Sequence, residues 1–483
     1  MSSPSVQNIL NRNNPLTEGN LSRVAQIDRS MRSSVVFFAV MSALWLVVGS
    51  ILGVISAIKL HAPEFLNTEA FTFGRSRTLH LNMVAYGWSF NAIFAVSIWL
   101  MHRLSRVELR NGWVPILGGI GWNLTLVYGM FAIAGGQMTG VEWLEMPREV
   151  APVLGVSFLL IGLWSVVAFS RRQTTHVYVS QWYILAAMFW LPILYLVAQM
   201  MILWFPARGT VQAITNWWFG HNAIGLFLTP VGVASMYYFI PKVLGRPIHS
   251  YYLSVVGFWS FALFYNWAGI HHLLGGPVPV WLQSAGIVAS VMMVIPVLVT
   301  AINFHYTTAS AQSWGVVWGS PTLRFTVFGA MNYTLSSFAG SLMALRDVNA
   351  VTHFTNFTIG HAHHGMHAFL TMALFGAFYF ILPRLTQREW PSAALIHLHF
   401  WLCAIGTIGY VVVMSIHGWM QGMQWNAAVM TPAQISAAAQ PWNFARTICG
   451  SLMTIGHIVF CAHVLWMLVP RAEKRQGPTL FAR

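Results

Sequence analysis

From Phe357 to Leu382 the chain reads FTIGHAHHGMHAFLTMALFGAFYFIL, without one Asp, Glu, Lys or Arg. A bilayer needs roughly 20 apolar residues per helix, so this stretch spells a membrane-crossing helix. Near its start stands Gly360-His361-Ala362-His363. An imidazole in hydrocarbon is costly unless it binds something. Successive side chains on a helix are about 100° apart, which puts His361 and His363 about 200° apart, on opposite faces. A regular helix cannot offer both to one metal. The economical solution is two metals, one on each side.

Working outward, eleven further apolar runs accompany this one, at 34–59, 79–101, 114–137, 150–170, 181–205, 217–240, 252–274, 281–304, 324–345, 393–416 and 444–469. The chain has 483 residues, is 57% hydrophobic and only 7% charged. That composition belongs to polytopic all-α membrane proteins. The loops are too short for a soluble domain. The reading is a polar N-terminal tail over 1–33, one twelve-helix domain over 34–470 and a basic tail over 471–483. The N-terminal tail lacks the apolar core of a cleavable signal peptide. No inverted repeat of the transporter kind is evident.

A net charge of +14 could suggest nucleic acid. The cations follow membrane topology instead. Arg103, Arg106 and Arg110, Arg171 and Arg172, Lys242 and Arg246, and Arg384 and Arg388 all fall on one side if the N-terminus is inside. Both termini are therefore expected in the cytoplasm of a bacterial inner membrane. Cys403, Cys449 and Cys461 lie in apolar runs and form no spaced motif. With no C-x-x-C-H there is no covalent haem, so electrons must come from another polypeptide or a small donor.

The same topology gives depth to six histidines. His80, His221, the adjacent pair His271 and His272, and the pair His361 and His363 all fall in the outer third of the bilayer, on four helices. His271 and His272 close a helix just before Gly275-Gly276-Pro277, where the backbone is expected to loosen. There both rings reach one small ion, with His221 as third ligand; copper, zinc or non-haem iron suits such a set. His80 remains to complete a six-coordinate haem with His363. His361 then holds a five-coordinate haem facing the three-histidine metal.

These positions resemble the catalytic subunit of haem-copper oxidases, and within them the C-family, or cbb3-type, cytochrome c oxidases. The segments that carry the likeness are Arg75-Ser76-Arg77-Thr78-Leu79-His80, Trp217-Trp218-Phe219-Gly220-His221-Asn222, Tyr265-Asn266-Trp267-Ala268-Gly269-Ile270-His271-His272 and Thr358-Ile359-Gly360-His361-Ala362-His363. The likeness spans nearly all twelve helices. It implies reduction of O2 to water, two b-type haems and one copper. His80 and His363 would hold the low-spin haem iron, His361 the high-spin haem iron, and His221, His271 and His272 the copper. The implied partners are membrane-anchored cytochrome c subunits, with charge separated across the membrane by proton translocation.

Tyr265 decides the subfamily. Most aerobic oxidases of the superfamily carry a tyrosine one turn after the first copper histidine, where this chain has Gly225. The C-family carries it six residues before the histidine pair, the place of Tyr265, and joins it covalently to the residue matching His221. The resemblance also assigns Arg77 and Arg446 to haem propionates, which suits a forked, permanently charged guanidinium. It assigns Glu142 and Glu145 to a calcium ion, which prefers hard oxygen ligands. An inner-side proton route is implied through Thr229, Tyr237 and Ser254 to Tyr265, with Ser250 and Ser260 as additions. All eleven acids read as tail or loop residues, so that route cannot use a buried carboxylate.

There are departures. Ala339 stands where the family usually carries Glu near the proximal histidine of the high-spin haem. His364 and His367 are extra histidines on the same helix, read as structural or as supporting the ligands. His353 is placed above the site; His397, His399, His417, His457 and His463 have no assigned role. Three other functions compete. A nitric oxide reductase would have Glu at the place of Gly225 to bind non-haem iron. A membrane transporter would use the histidines as transient ligands, but its site belongs near the midplane between broken helices. A b-type relay cytochrome would need only His80 and His363.

Overall fold

A computed structural model describes residues 18–309, 311–469 and 473–474. Among the described residues, twelve long helices run in sequence: α1 (Leu21–Lys59), α2 (Phe73–Ser105), α3 (Trp113–Ala134), α4 (Arg148–Ser170), α5 (Val179–Trp204), α6 (Thr210–Leu244), α7 (Tyr251–Leu273), α8 (Val280–Thr308), α9 (Pro321–Met343), α10 (Asn356–Thr386), α11 (Ala393–Ala427) and α12 (Gln440–Leu468). Among the same residues the only β pairing is an isolated bridge between Arg388 and Lys474. All twelve apolar runs are thus helical. Eleven are long and apolar enough to cross a membrane; α9 is long enough but carries too many hydroxyl and amide groups to qualify by composition. It packs against α8 and α10, and those groups bond into the bundle: Asn332 to His364, Thr334 to His305, and Ser341 to the Ser290 carbonyl.

The first helix extends well before the apolar run, back to Glu18. At about 1.5 Å per residue it overreaches a hydrocarbon core of roughly 30 Å. The extra turns are anchored by an ion pair between Asp28 and Arg103 at 3.0 Å, so Asp28 is a paired helix residue and not part of a free tail. Arg103 and Arg384 line one small cleft with Asp28, which marks the basic end of the bundle. The tail residues 1–17 and 475–483 lie outside the described residues.

Burial sorts the helices. In their most apolar stretch α2, α6 and α10 are 94%, 83% and 89% buried, whereas none of the other eight apolar spans exceeds 56%. The outer helices turn large side chains outward, among them Leu124, Phe131, Leu159, Phe189 and Ile193. Lipid contact demands such a face. The three inner helices are the ones that carry His80, His221, His361 and His363. Small residues let helices approach closely. A Cβ on Gly418 of α11 would lie 1.9 Å from the Phe357 amide nitrogen of α10, so only glycine permits that crossing.

Candidate metal centre

Each inner helix departs from α geometry immediately after its ligand-type histidine. His80 is followed by a π-helical segment over Met83–Ser89, His221 by one over Ala223–Leu228, and His363 by one over His364–Thr371. A π turn widens the helix by one residue and re-phases the turns beyond it, a common device at functional sites. The adjacent pair sits on a 3₁₀ turn over Gly269–Leu273. There the backbone tightens instead of loosening. The pair is still brought to one place.

On one face of α10, His363 meets His80. Their rings are nearly parallel, 10° apart, with centroids 6.3 Å apart. His80 Nδ1 donates to the Gly49 carbonyl at 2.7 Å and His363 Nδ1 to the Ile359 carbonyl at 2.9 Å. A carbonyl only accepts, so each Nδ1 carries the hydrogen and each Nε2 keeps its lone pair. A metal about 2.0 Å from one nitrogen of each ring fits that separation. On α1, a Cβ at Gly53 would strike His80 Nδ1 at 2.6 Å, so the slot exists only because that residue is glycine. Beside it, Arg446 lies over the Tyr410 ring, and its buried Nε has no hydrogen-bond partner, as suits an arginine awaiting an anionic group.

On the opposite face, His361 lies within the electrostatic reach of His221, His271 and His272. Its Nδ1 is buried without a partner. A Cβ built on Gly340, the residue after Ala339, would lie 3.1 Å from its Cε1. Ligand nitrogens of His221, His271 and His272 all fall within 4.8 Å of one another. His271 Nδ1 donates to Ser290 Oγ at 2.7 Å, because Ser290 spends its own hydrogen on the Gly286 carbonyl. His272 stacks on Trp217 at 4.1 Å. Three oriented neutral imidazoles of this kind suit copper.

Tyr265 stacks on His221, centroids 4.4 Å apart. A Cβ built on Gly225 would fall 1.6 Å from Tyr265 Cε1. The ring from α7 therefore occupies the volume that any side chain at 225 would need. The two residues are exchange partners: with Tyr265 in place, position 225 must be glycine.

The remaining expected residues divide. Ser254 and Tyr237 join through a residue with no sequence signal, Asn303, which donates to Ser254 Oγ at 3.1 Å and Tyr237 Oη at 3.2 Å, and whose side-chain carbonyl oxygen accepts from the Ser250 amide at 2.8 Å. Ser260 instead bonds back to its own helix at Val256, and Thr229 stands at the point where the π turn of α6 returns to α geometry. Arg77 pairs with Glu142 at 3.2 Å, so one of its donors goes to a carboxylate of the chain itself. Glu145 is buried, accepts from Asn82 at 3.2 Å, and burial raises its carboxyl above the ordinary value. His364 bonds Asn332, while His367 pairs with His457. An apolar cavity of about 420 Å³, lined by Tyr86, Phe158, Leu191, Phe219, Ala223 and Ile224, opens beside the helix segment that carries His221. No spacing in the sequence announces it, because its walls come from five different helices.

The description "Cytochrome C and Quinol oxidase polypeptide I" belongs to a family whose sequence model matches residues 33–452. The chain is 34% identical over 451 residues to the Cbb3-type cytochrome c oxidase subunit CcoN1 of Stutzerimonas stutzeri, covering 90% of this chain and 94% of that one. It is 32% identical over 458 residues to cytochrome c oxidase subunit 1 of Rhodobacter capsulatus, covering 89% and 84%. A solved haem-copper terminal oxidase dimer superposes with a TM-score of 0.74 at 15% identity, over 93% of this chain and 86% of that one.

Gly225→Ala should drive the Tyr265 ring off His221; overpacking of this kind costs about 1–3 kcal/mol and is read as a lower unfolding temperature with loss of turnover. Glu145 has its folded-state pKa raised. It therefore contributes stability that is full below the ordinary carboxylate value and lost as pH rises through the folded value. Were calcium to bind Glu145, it would cancel that loss. Thermal unfolding against pH, with and without calcium, should diverge in the unaltered protein and coincide in Glu145→Gln.

Proposed function

The chain belongs to the cytochrome c and quinol oxidase polypeptide I family, the catalytic subunit of haem-copper oxidases, and from that premise we propose that it reduces O2 to water as the C-family subunit of a respiratory complex. His80 and His363 would hold a low-spin b haem, His361 a high-spin b haem, and His221, His271 and His272 a copper ion. Bound there, these groups would supply the electrons and the oxygen-binding centre. One observation carries the reading: α10 sends His363 to a parallel partner at 6.3 Å on one side and His361 toward a three-imidazole cluster on the other. Neither a transporter nor a simple relay cytochrome has a use for both.

The protein's own groups do the rest. Tyr265, against His221, holds a proton at Oη where a phenol can give both a proton and an electron. Asn303 ties Ser254 and Tyr237 into the start of a hydroxyl route toward it, in helices without a mid-membrane carboxylate. The apolar cavity between α2, α3, α4, α5 and α6 offers O2, itself apolar, a way in from lipid. Glu142 and Glu145 would bind calcium, and Arg446 a haem propionate. Electrons would arrive from membrane-anchored cytochrome c subunits, coupled to proton translocation across a bacterial inner membrane, with both termini cytoplasmic.

The nitric oxide reductase alternative needs a carboxylate at 225. With Tyr265 filling that volume, no Glu could stand there, which favours copper over non-haem iron. Metal and haem analysis with O2 and nitric oxide turnover on one preparation tests the reading. The expected result is two b haems and one copper per chain with oxygen consumption. Copper-free, iron-loaded protein that turns over nitric oxide would reject it. Tyr265→Phe should keep both haem spectra and the copper while oxygen turnover falls about 10²-fold or more. Asn303→Leu should likewise keep the spectra, slow turnover, and destabilise by about 1–3 kcal/mol through unpaired buried groups.

A further inference from the structure

Oxygen reduction leaves a second cluster of buried histidines without a task. His367 on α10 and His457 on α12 meet Nε2 to Nε2 at 2.7 Å, with ring centroids 5.0 Å apart. His457 Nδ1 lies 2.6 Å from Ser50 Oγ on α1, and Ser50 gives its own hydrogen to the Leu46 carbonyl. Ser50 must therefore accept, and His457 carries its hydrogen on Nδ1. His457 Nε2 then accepts from His367 Nε2–H, and His367 Nδ1 accepts from the hydroxyl of Thr407 on α11. Two neutral rings and two hydrogens satisfy all four nitrogens.

The arrangement has room for one more proton. Thr407 Oγ1 is also 3.1 Å from Met453 Sδ. If the hydroxyl turns to the sulfur, its oxygen is free to accept from a protonated His367 Nδ1. The added charge then lies on a ring whose Nε2–H already donates to a neutral imidazole, a charge-assisted bond of the strong kind. The Thr407–His367 hydrogen bond reverses its direction as one hydroxyl rotates. A dyad built only for packing has no need of that second acceptor.

Its place links it to the ligand slot. Ser50 follows Gly49, whose carbonyl fixes His80, and His367 stands four residues after His363. The titratable groups that share its field are Cys403 and His399 on α11, His363 on α10 and His80 on α2; α1 presents only Ser50, and no Asp, Glu, Lys or Arg is among them. Toward the basic end, His399 bonds Tyr379 at 2.8 Å and His463 accepts from the Ser392 amide at 3.1 Å. Both are fully buried, and each keeps one ring nitrogen without a partner. Water between them would extend the line toward that face.

We propose that the His367–His457 pair is a proton-loading site, taking up one proton when the haem held by His80 and His363 is reduced and releasing it on oxidation. The proposal rests on that haem assignment. In the low-dielectric interior the added electron and the added proton attract strongly.

Redox titration of the low-spin haem against pH in the purified oxidase tests it. One proton per electron shifts the reduction equilibrium up to tenfold per pH unit, about 59 mV. The unaltered protein should show that slope over part of the neutral range; His457→Gln and His367→Gln should flatten it while keeping the low-spin band. An unchanged slope in either variant, or no slope in the unaltered protein, overturns the proposal. Infrared redox difference spectra with ring-labelled histidine need no variant: imidazolium bands must appear on reduction, and their absence also overturns it. His367, Cys403 and His457 could instead hold a metal. An additional stoichiometric ion lost in Cys403→Ser would establish that occupant and reject proton loading. In His363→Leu the low-spin band should vanish; its survival would refute the haem assignment itself and not the dyad chemistry.

Discussion

The structure depends on a conflict of periods in one helix. Two imidazoles spaced two residues apart on α10 cannot face the same way, and hydrocarbon does not tolerate either alone. The bundle must then supply a partner on each side. His80 does so from α2, held by a carbonyl of α1; His221, His271 and His272 do so from α6 and α7. These demands explain why α2, α6 and α10 are the innermost helices and why each breaks into a π turn just past its histidine. An inner helix that must present a ring at a set angle and still pack tightly below it gains from re-phasing between the two.

Space inside the site is allotted by exclusion. Tyr265 and the missing side chain at 225 are two halves of one decision: the phenol enters from α7 because α6 leaves the volume empty. The same logic makes Gly53 the floor of the His80 slot and Gly418 the crossing point of α10 and α11. His361 Nδ1 is buried without a partner, and Gly340 leaves room for that ring.

Two polar networks inside the bundle contain no carboxylate. On the side of α6, α7 and α8, an amide, Asn303, organises hydroxyls and tyrosines. On the side of α1, α11 and α12, imidazoles, Ser50 and Thr407 do so. Both networks join side chains from several helices through direct hydrogen bonds.

The sequence by itself determined the helical membrane architecture and the opposite facing of His361 and His363, because hydrophobic run length and helical phase are local and additive along the chain; Tyr265 was singled out by family resemblance, not by phase. The polarity of α9, and the ascription of Asp28 to a tail, show the limit: composition does not reveal which polar groups find partners in the bundle. The Asn303 hub, the Arg77–Glu142 pair, the His367–His457 dyad and the apolar cavity were decided by tertiary structure alone. Each brings together residues far apart in sequence, and a lone Asn, His or Leu carries no mark of the neighbour that packing will bring to it.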